Sequence, residues 1–314
     1  MPAARPVAAL LVAFAVVASG CGVIGGSSPT STPTATPTIT ATPTPTATPT
    51  PPPQLELETL EAAQGGFAVL RVLGGAPAAS ATFDGRVYPL LQAPGVLWAV
   101  IGAPANQAPG SYPVEVRLED GSGDVATTLV ATPIVFDSGY AVEEIFLEPE
   151  EAALLDANLA AQEAATRERV FATFTEQRLW SGPFILPVGT IITSPYGIGR
   201  SYNGAPVSSF HSGTDFVADE TTPISAANAG RVAFAGPLPI RGTSVIIDHG
   251  GGVFSGYHHL SRTTVAEGQD VALGQQIGFG GDSGLATGPH LHWEIIVRGV
   301  PVDPTLWTFE EVSP

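Results

Sequence analysis

The chain has 314 residues, 44% hydrophobic and only 13% charged, a length that allows two domains with connecting segments. Its formal net charge is −17, and all 12 basic side chains are arginine, because the sequence contains no lysine. So acidic a chain lacks the basic surface that nucleic acid phosphates require, and it is repelled by anionic surfaces unless something holds it there.

Residues 1–21 read as an export signal. Arg5 gives a short positive start, and the apolar run Val7 to Val17 is shorter than the roughly 20 residues that span a bilayer. Ala18-Ser19-Gly20 then precedes Cys21, the chain's single cysteine, so no intramolecular disulfide can form. This arrangement resembles a bacterial lipoprotein signal, which implies lipidation of Cys21, an extracytoplasmic location and a membrane anchor. Residues 22–53 are dominated by Ser, Thr and Pro. Proline holds such a segment extended and removes backbone donors, so it reads as a semi-rigid stalk that spaces a domain from the membrane.

Residues 54–137 carry short apolar and β-branched runs separated by turn signals. Phe67–Val72, Ala81–Phe83, Arg86–Leu90, Leu97–Ile101, Tyr112–Leu118 and Val125–Val130 read as strands, with Asp84-Gly85, Pro109-Gly110 and Asp120-Gly121 as turns. That spacing predicts a small immunoglobulin-like β-sandwich, a spacer or binding module with no catalytic cluster of its own. Residues 138–182 form a linker in which 149–180 is expected to be helical. Pro149 sits among Glu148, Glu150 and Glu151 at its start, and Leu154, Leu155, Leu159, Gln162, Ala165 and Arg169 recur at helical spacing. The helix is expected to pack beside the next domain. Residues 183–314 are Gly-rich with many short strands, including Gly230–Gly236, Thr243–Asp248 and Gln276–Phe279, and read as all-β.

All six histidines lie at or after position 211. His290-Leu291-His292 precedes the β-branched run Ile295-Ile296-Val297, so both imidazoles project from one face of a strand. His211 and Asp215 form a His-x-x-x-Asp pair that Gly213 and Thr214 place outside a helix, and Tyr257-His258-His259-Leu260-Ser261 forms a third motif. Together they offer nitrogen and oxygen ligands of the kind that hold catalytic Zn²⁺ through three side chains with one open position.

His211-x-x-x-Asp215, Tyr257-x-His259-Leu260-Ser261 and Gly288-Pro289-His290-Leu291-His292 resemble, in order and spacing, the signature of the lysostaphin-type (LytM-like) zinc metallopeptidases of bacterial cell walls. Between these motifs, Asp248-His249-Gly250-Gly251-Gly252 and Asp282-Ser283-Gly284 agree with it. The resemblance covers about the last 130 residues. It implies a mainly β protein ending in an all-β zinc peptidase domain with β-hammerhead-like features, with His211, Asp215 and His292 binding one Zn²⁺. It further implies His290 as general base toward the attacking water, with His259 beside it stabilising the oxyanion or orienting the water, the base being open between the two. The substrate would be peptidoglycan stem peptides or cross-bridges.

His258 is expected to face away from the site, and His249 to make a structural hydrogen bond. Glu294 is open to two readings, a partner of the metal ligands or a solvated carboxylate. Two rivals to the enzyme are a catalytically inactive activator of other wall hydrolases, which should lack ligands, and a wall-binding lipoprotein. The stretch Val265–Gly278 also resembles biotinyl and lipoyl carrier domains, but those need a lysine and the chain has none.

Overall fold

The structure, a computed structural model, describes residues 52–59, 63–74, 78–120, 122–309 and 311–314. The expected signal segment, Cys21 and the stalk up to residue 51 lie outside the described residues.

Two four-stranded antiparallel sheets form the first module. One orders Gln54–Thr59, Phe67–Leu73, Val96–Gly102 and Leu91–Ala93; the other orders Arg86–Pro89, Ala78–Phe83, Val114–Glu119 and Val125–Ala131. The period-2 pattern sets which faces are buried: in Val114–Glu119 the valines and Leu118 are buried while Glu115 and Arg117 are exposed. The strand Gln54–Thr59, absent from the sequence-based expectation, alternates in the same way, with Leu55 and Leu57 half-buried between exposed neighbours. Val96–Gly102 is buried on both faces. One side serves the module and the other meets the C-terminal domain, where a Cβ on Gly102 would come within 2.7 Å of Val302. A single hydrophobic core therefore runs from Leu70 and Trp98 through Trp180 and Phe184 to Trp307. Phe67 and Trp307 stack with ring centroids 4.6 Å apart. Each such side chain, fully buried, contributes about 1.5–3 kcal/mol.

The main sheet of the C-terminal domain runs, in spatial order, Ile192–Ser194, Thr214–Val217, His290–Val297, Val253–Leu260, Gly242–Gly250, Gly230–Leu238 and Asp270–Val271. His290–Val297 is an interior strand, between Thr214–Val217 and Val253–Leu260. Alternation sends Leu291, Trp293, Ile295 and Val297 to the large core. The opposite face carries His290, His292, Glu294 and Ile296, and Ile296 joins a second small core with Ile246, Phe254 and Phe171.

Phe171 comes from the linker, which is only partly helical. Val142–Ile145 is a strand that pairs in parallel with Gly199–Tyr202 of the C-terminal domain. Pro149–Ala152 makes one helical turn, Ala153–Leu155 tightens to 3₁₀, and Ala157–Phe171 is the main helix. The expected continuous helix breaks at Asp156, whose extended backbone and side chain cap a new start by accepting from Asn158 N and Leu159 N. It stops at Phe171, well before Trp180, because Phe171 and Trp180 are each drawn into a different core. The linker helix thus lies on the sheet face that carries the two histidines.

Candidate metal centre

Register brings the predicted ligands together. Thr214–Val217 pairs with His290–Val297 so that Asp215 stands opposite His292. His211 enters just before that strand, its backbone held by Gly197 N to His211 O and His211 N to Ile198 O, both 2.8 Å. His211 Nε2, Asp215 Oδ1 and His292 Nδ1 then lie 2.7 to 2.9 Å from one another. Among the described residues, these three form the cluster suited to holding a metal ion. Their outward hydrogen bonds fix the tautomers. His211 Nδ1 donates to Pro195 O at 2.8 Å, and His292 Nε2 donates to Glu294 Oε1 at 3.1 Å. Each ring therefore turns a lone pair inward, toward a carboxylate oxygen. Three inward acceptors at this spacing require a cation or a shared proton between them, and the two-imidazole, one-carboxylate set suits Zn²⁺.

The electrostatics treat the two imidazoles differently: burial works to lower His292, but Asp215 and Glu294 raise it above its ordinary value. Burial pushes His211 down to about 4, against the pull of Asp215. Burial works to raise Asp215, but His292 and His211 hold it well below the usual carboxylate range. Its second oxygen, Oδ2, accepts from Arg200 Nη2 at 3.0 Å, a partner that sequence reasoning did not assign.

His259 and His290 stand beside this cluster with ring centroids 4.6 Å apart. His259 Nδ1 donates to Ser283 O and His290 Nδ1 to Gly288 O, both at 2.8 Å, so in each neutral ring Nε2 is the proton acceptor. Burial, with His290 and His292 nearby, holds His259 well below its ordinary pKa. A neutral His259 in this tautomer accepts a proton at Nε2 and donates none there, which favours orienting water over stabilising an oxyanion.

His259 reaches the site through a break in strand alternation. Thr243 pairs with Leu260 and Val245 with Tyr257, so Ser244 faces two residues, His258 and His259, across a bulge. His259 has φ +59°, in the left-handed region that costs a non-glycine residue about 1–2 kcal/mol. His258, expected to face away, instead pairs with His292 in regular register, is fully buried, and sits on the same face as the cluster, and the bulge turns its neighbour His259 to that face as well. Its Nε2 donates to Glu294 Oε2 at 3.2 Å and its Nδ1 accepts from Ser244 Oγ at 2.8 Å.

Glu294 is not solvated. It is fully buried and collects His292, His258, Ser212 Oγ at 2.6 Å, Arg241 Nη2 at 2.8 Å and Arg167 Nη2 at 2.5 Å. Burial works to raise its pKa, yet Arg167 and Arg241 hold it well below the usual range. Glu163 balances Arg241 from the other side, Oε1 to Nη1 at 2.6 Å. Arg167, Arg241 and Glu163 were not singled out from the sequence as site residues. His249 behaves as expected: Nδ1 donates to Ala229 O and Nε2 accepts from Ser255 Oγ, both at 2.7 Å, away from the cluster.

Residues 209–304 match the model of Peptidase family M23. This segment is an M23 peptidase domain. Over 93 residues the chain is 45% identical to peptidoglycan DD-endopeptidase ShyA of Vibrio cholerae, covering 30% of this chain and 22% of that protein. Over 117 residues it is 41% identical to DD-carboxypeptidase/endopeptidase Mpg of Neisseria meningitidis, covering 37% and 27%. The chain thus spans about a quarter of the length of the curated relatives it matches. A solved Pseudomonas aeruginosa structure assigned to peptidase M23 superposes with a TM-score of 0.58 at 27% identity, covering 79% of this chain and 95% of that one. That similarity extends beyond the M23 segment.

In the M23 domain the cluster opens into two adjoining cavities of about 540 and 510 Å³, which share Arg200, Tyr202, His259 and Leu285. The linker helps wall both, with Glu143, Glu144 and Phe146 in the first and Leu155 and Ala160 in the second. A groove open on both sides of the ligands suits an extended chain better than a small molecule enclosed in a pocket.

Proposed function

We propose that this protein is a zinc metalloendopeptidase that hydrolyses peptide bonds of bacterial peptidoglycan during cell-wall remodelling. One observation carries the reading: three inward lone pairs, from His211, Asp215 and His292, meet beside two further imidazoles whose Nε2 atoms are proton acceptors. When bound, Zn²⁺ would polarise the scissile carbonyl and make a water molecule acidic enough to attack near neutral pH. His290 takes the proton of the attacking water, and His259 orients that water through its own Nε2. Asp215, held as a carboxylate by Arg200 and the histidines, supplies the oxygen ligand.

The relatives' names support peptidoglycan as substrate and favour the D,D bond of cross-linked stem peptides among its bonds. A non-catalytic activator would lack ligands, whereas His211, Asp215 and His292 are all in place here. Lipidation at Cys21 and the stalk after it would hold the M23 domain at the envelope side of a membrane. The decisive experiment digests purified wall and reads the products by mass spectrometry. Cross-linked muropeptides should fall to monomers, and both a chelator and His211→Ala should abolish this. Digestion that survives either treatment refutes the reading. Labelling with a fatty-acid analogue tests the anchor, and Cys21→Ser should remove the label.

A further inference from the structure

The charged cluster behind the metal ligands reaches beyond the M23 segment. Glu163 is 2% exposed, although most of the linker helix is open to solvent and its other buried residue is Phe171. A carboxylate at such a position is costly unless it is used. Its Oε1 binds Arg241 Nη1, and its Oε2 accepts from the backbone N of Ile240 at 2.7 Å and of Arg241 at 3.0 Å. The helix therefore fastens the hairpin between Gly230–Leu238 and Gly242–Gly250 at the residue that matters.

Arg241 touches the site at three points. Its Nη2 donates to Glu294 Oε1 and to Ser212 Oγ at 3.0 Å, the residue next to His211. Its carbonyl accepts from His259 N at 2.9 Å, holding the left-handed turn of that residue. Glu294 Oε1 accepts from His292 Nε2, on the side of the ring away from Nδ1. Glu294 is therefore placed to fix the ring and its tautomer, not to serve as a fourth ligand. Arg167 holds the other oxygen of Glu294. The two arginines and two carboxylates balance in charge, as a buried ionic network must.

We propose that Glu163 and Arg167 of the linker helix, acting through Arg241 and Glu294, are positioning residues for His292 and His259, so that the helix upstream of the M23 segment is a component of the metal centre. This rests on the metal-centre reading above. Partners that orient metal-ligating histidines are typically worth 10–100-fold in metal affinity or activity.

The test uses the full chain and four variants, Glu163→Gln, Arg167→Gln, His211→Ala and the exposed helix control Glu168→Gln. Zn²⁺ affinity is measured by competition with a chromophoric chelator, and ligand geometry by the visible spectrum of the Co²⁺-substituted protein. Glu163→Gln and Arg167→Gln should each weaken Zn²⁺ binding by about tenfold. They should also shift the Co²⁺ bands and lower kcat with little change in KM, while Glu168→Gln matches the wild type. If both helix variants keep wild-type affinity and spectrum and change only thermal stability, the helix is structural and the proposal is overturned. Should one variant fail to fold, the other carries the same test. Wild-type metal affinity in His211→Ala would instead overturn the metal-centre reading itself.

Discussion

Gly213 offers a sharp test of the proposed metal centre because it separates the proposed ligands His211 and Asp215 without being one. A Cβ built there would lie 2.2 Å from Trp293 O, 2.9 Å from Trp293 C and 2.9 Å from His292 Cε1. The first contact is more than an ångström inside ordinary carbon–oxygen separation, and it falls on backbone, which cannot swing aside. Relief in Gly213→Ala requires Thr214–Val217 and His290–Val297 to part where Thr214 pairs with Trp293. Overpacking of this kind costs about 1–3 kcal/mol, and a lost ladder hydrogen bond adds about 1 kcal/mol. A destabilisation of about 2–4 kcal/mol follows. The same parting separates Asp215 Oδ1 from His292 Nδ1, now 2.7 Å apart. Metal sites tolerate only about 0.2 Å of ligand displacement, so Zn²⁺ affinity should fall by about tenfold or more. Gly288→Ala is the matched control, since a Cβ there meets nothing within 4 Å. Chelator competition and thermal melts of the metal-free proteins give both quantities. If Gly213→Ala binds Zn²⁺ like Gly288→Ala and melts with the wild type, the placement of the two strands around the ligands is wrong.

His290→Ala should lower kcat about 10²–10⁴-fold while leaving Zn²⁺ affinity near that of the wild type, because His290 stands outside the ligand cluster; steady-state kinetics with chelator competition separates the two. His249 should make the fold acid-sensitive. Burial pushes its pKa down to about 4 from 6.5, so it stays neutral when folded while the unfolded chain takes up a proton. Stability is thus lost as pH falls from about 6.5 toward 4, by up to about 1 kcal/mol per pH unit. Denaturant midpoints should fall less steeply over that range in His249→Gln, and equal slopes would refute the assignment. Asp156→Ala removes the side-chain cap of the linker helix and should lower stability by about 1 kcal/mol in denaturant unfolding.

The parts of the site legible in the sequence are those that depend on short-range geometry. Strand alternation alone puts His290, His292 and Glu294 on one face, and the β-branched run after them marks the strand. The sandwich strands follow the same period, and Gln54–Thr59 could have been read from its own alternation. What escaped the sequence depends on long-range pairing. His259 shares the face of His258 only because a bulge opposite Ser244 places two residues against one, while His258 itself follows the ordinary register with His292. Glu294 is buried because arginines 53 and 127 residues away converge on it, a separation that no local pattern records. One signal was available. Leu159, Glu163, Arg167 and Phe171 recur every four residues, so a face that buries Phe171 and half-buries Leu159 takes the charged pair between them.

That stripe explains why the M23 segment does not end physically where the family resemblance ends. The face of the main sheet that carries the proposed ligands is shared between the histidine cluster at one end, with His290 and His292, and packing at the other, with Ile296. Ile246, Phe254 and Ile296 are covered there by Phe171, whose ring meets Phe254 at 5.3 Å. One helix closes both ends: Phe171 and Val170 supply the apolar cover, while Arg167 and Glu163, about one and two turns earlier, supply the charges that Glu294 and Arg241 need. Sliding the helix by a single residue would bury the wrong groups at both ends at once. The apolar contact therefore sets the register of the charged one, and packing about a helical turn away from the ligands fixes where the partners of His292 stand.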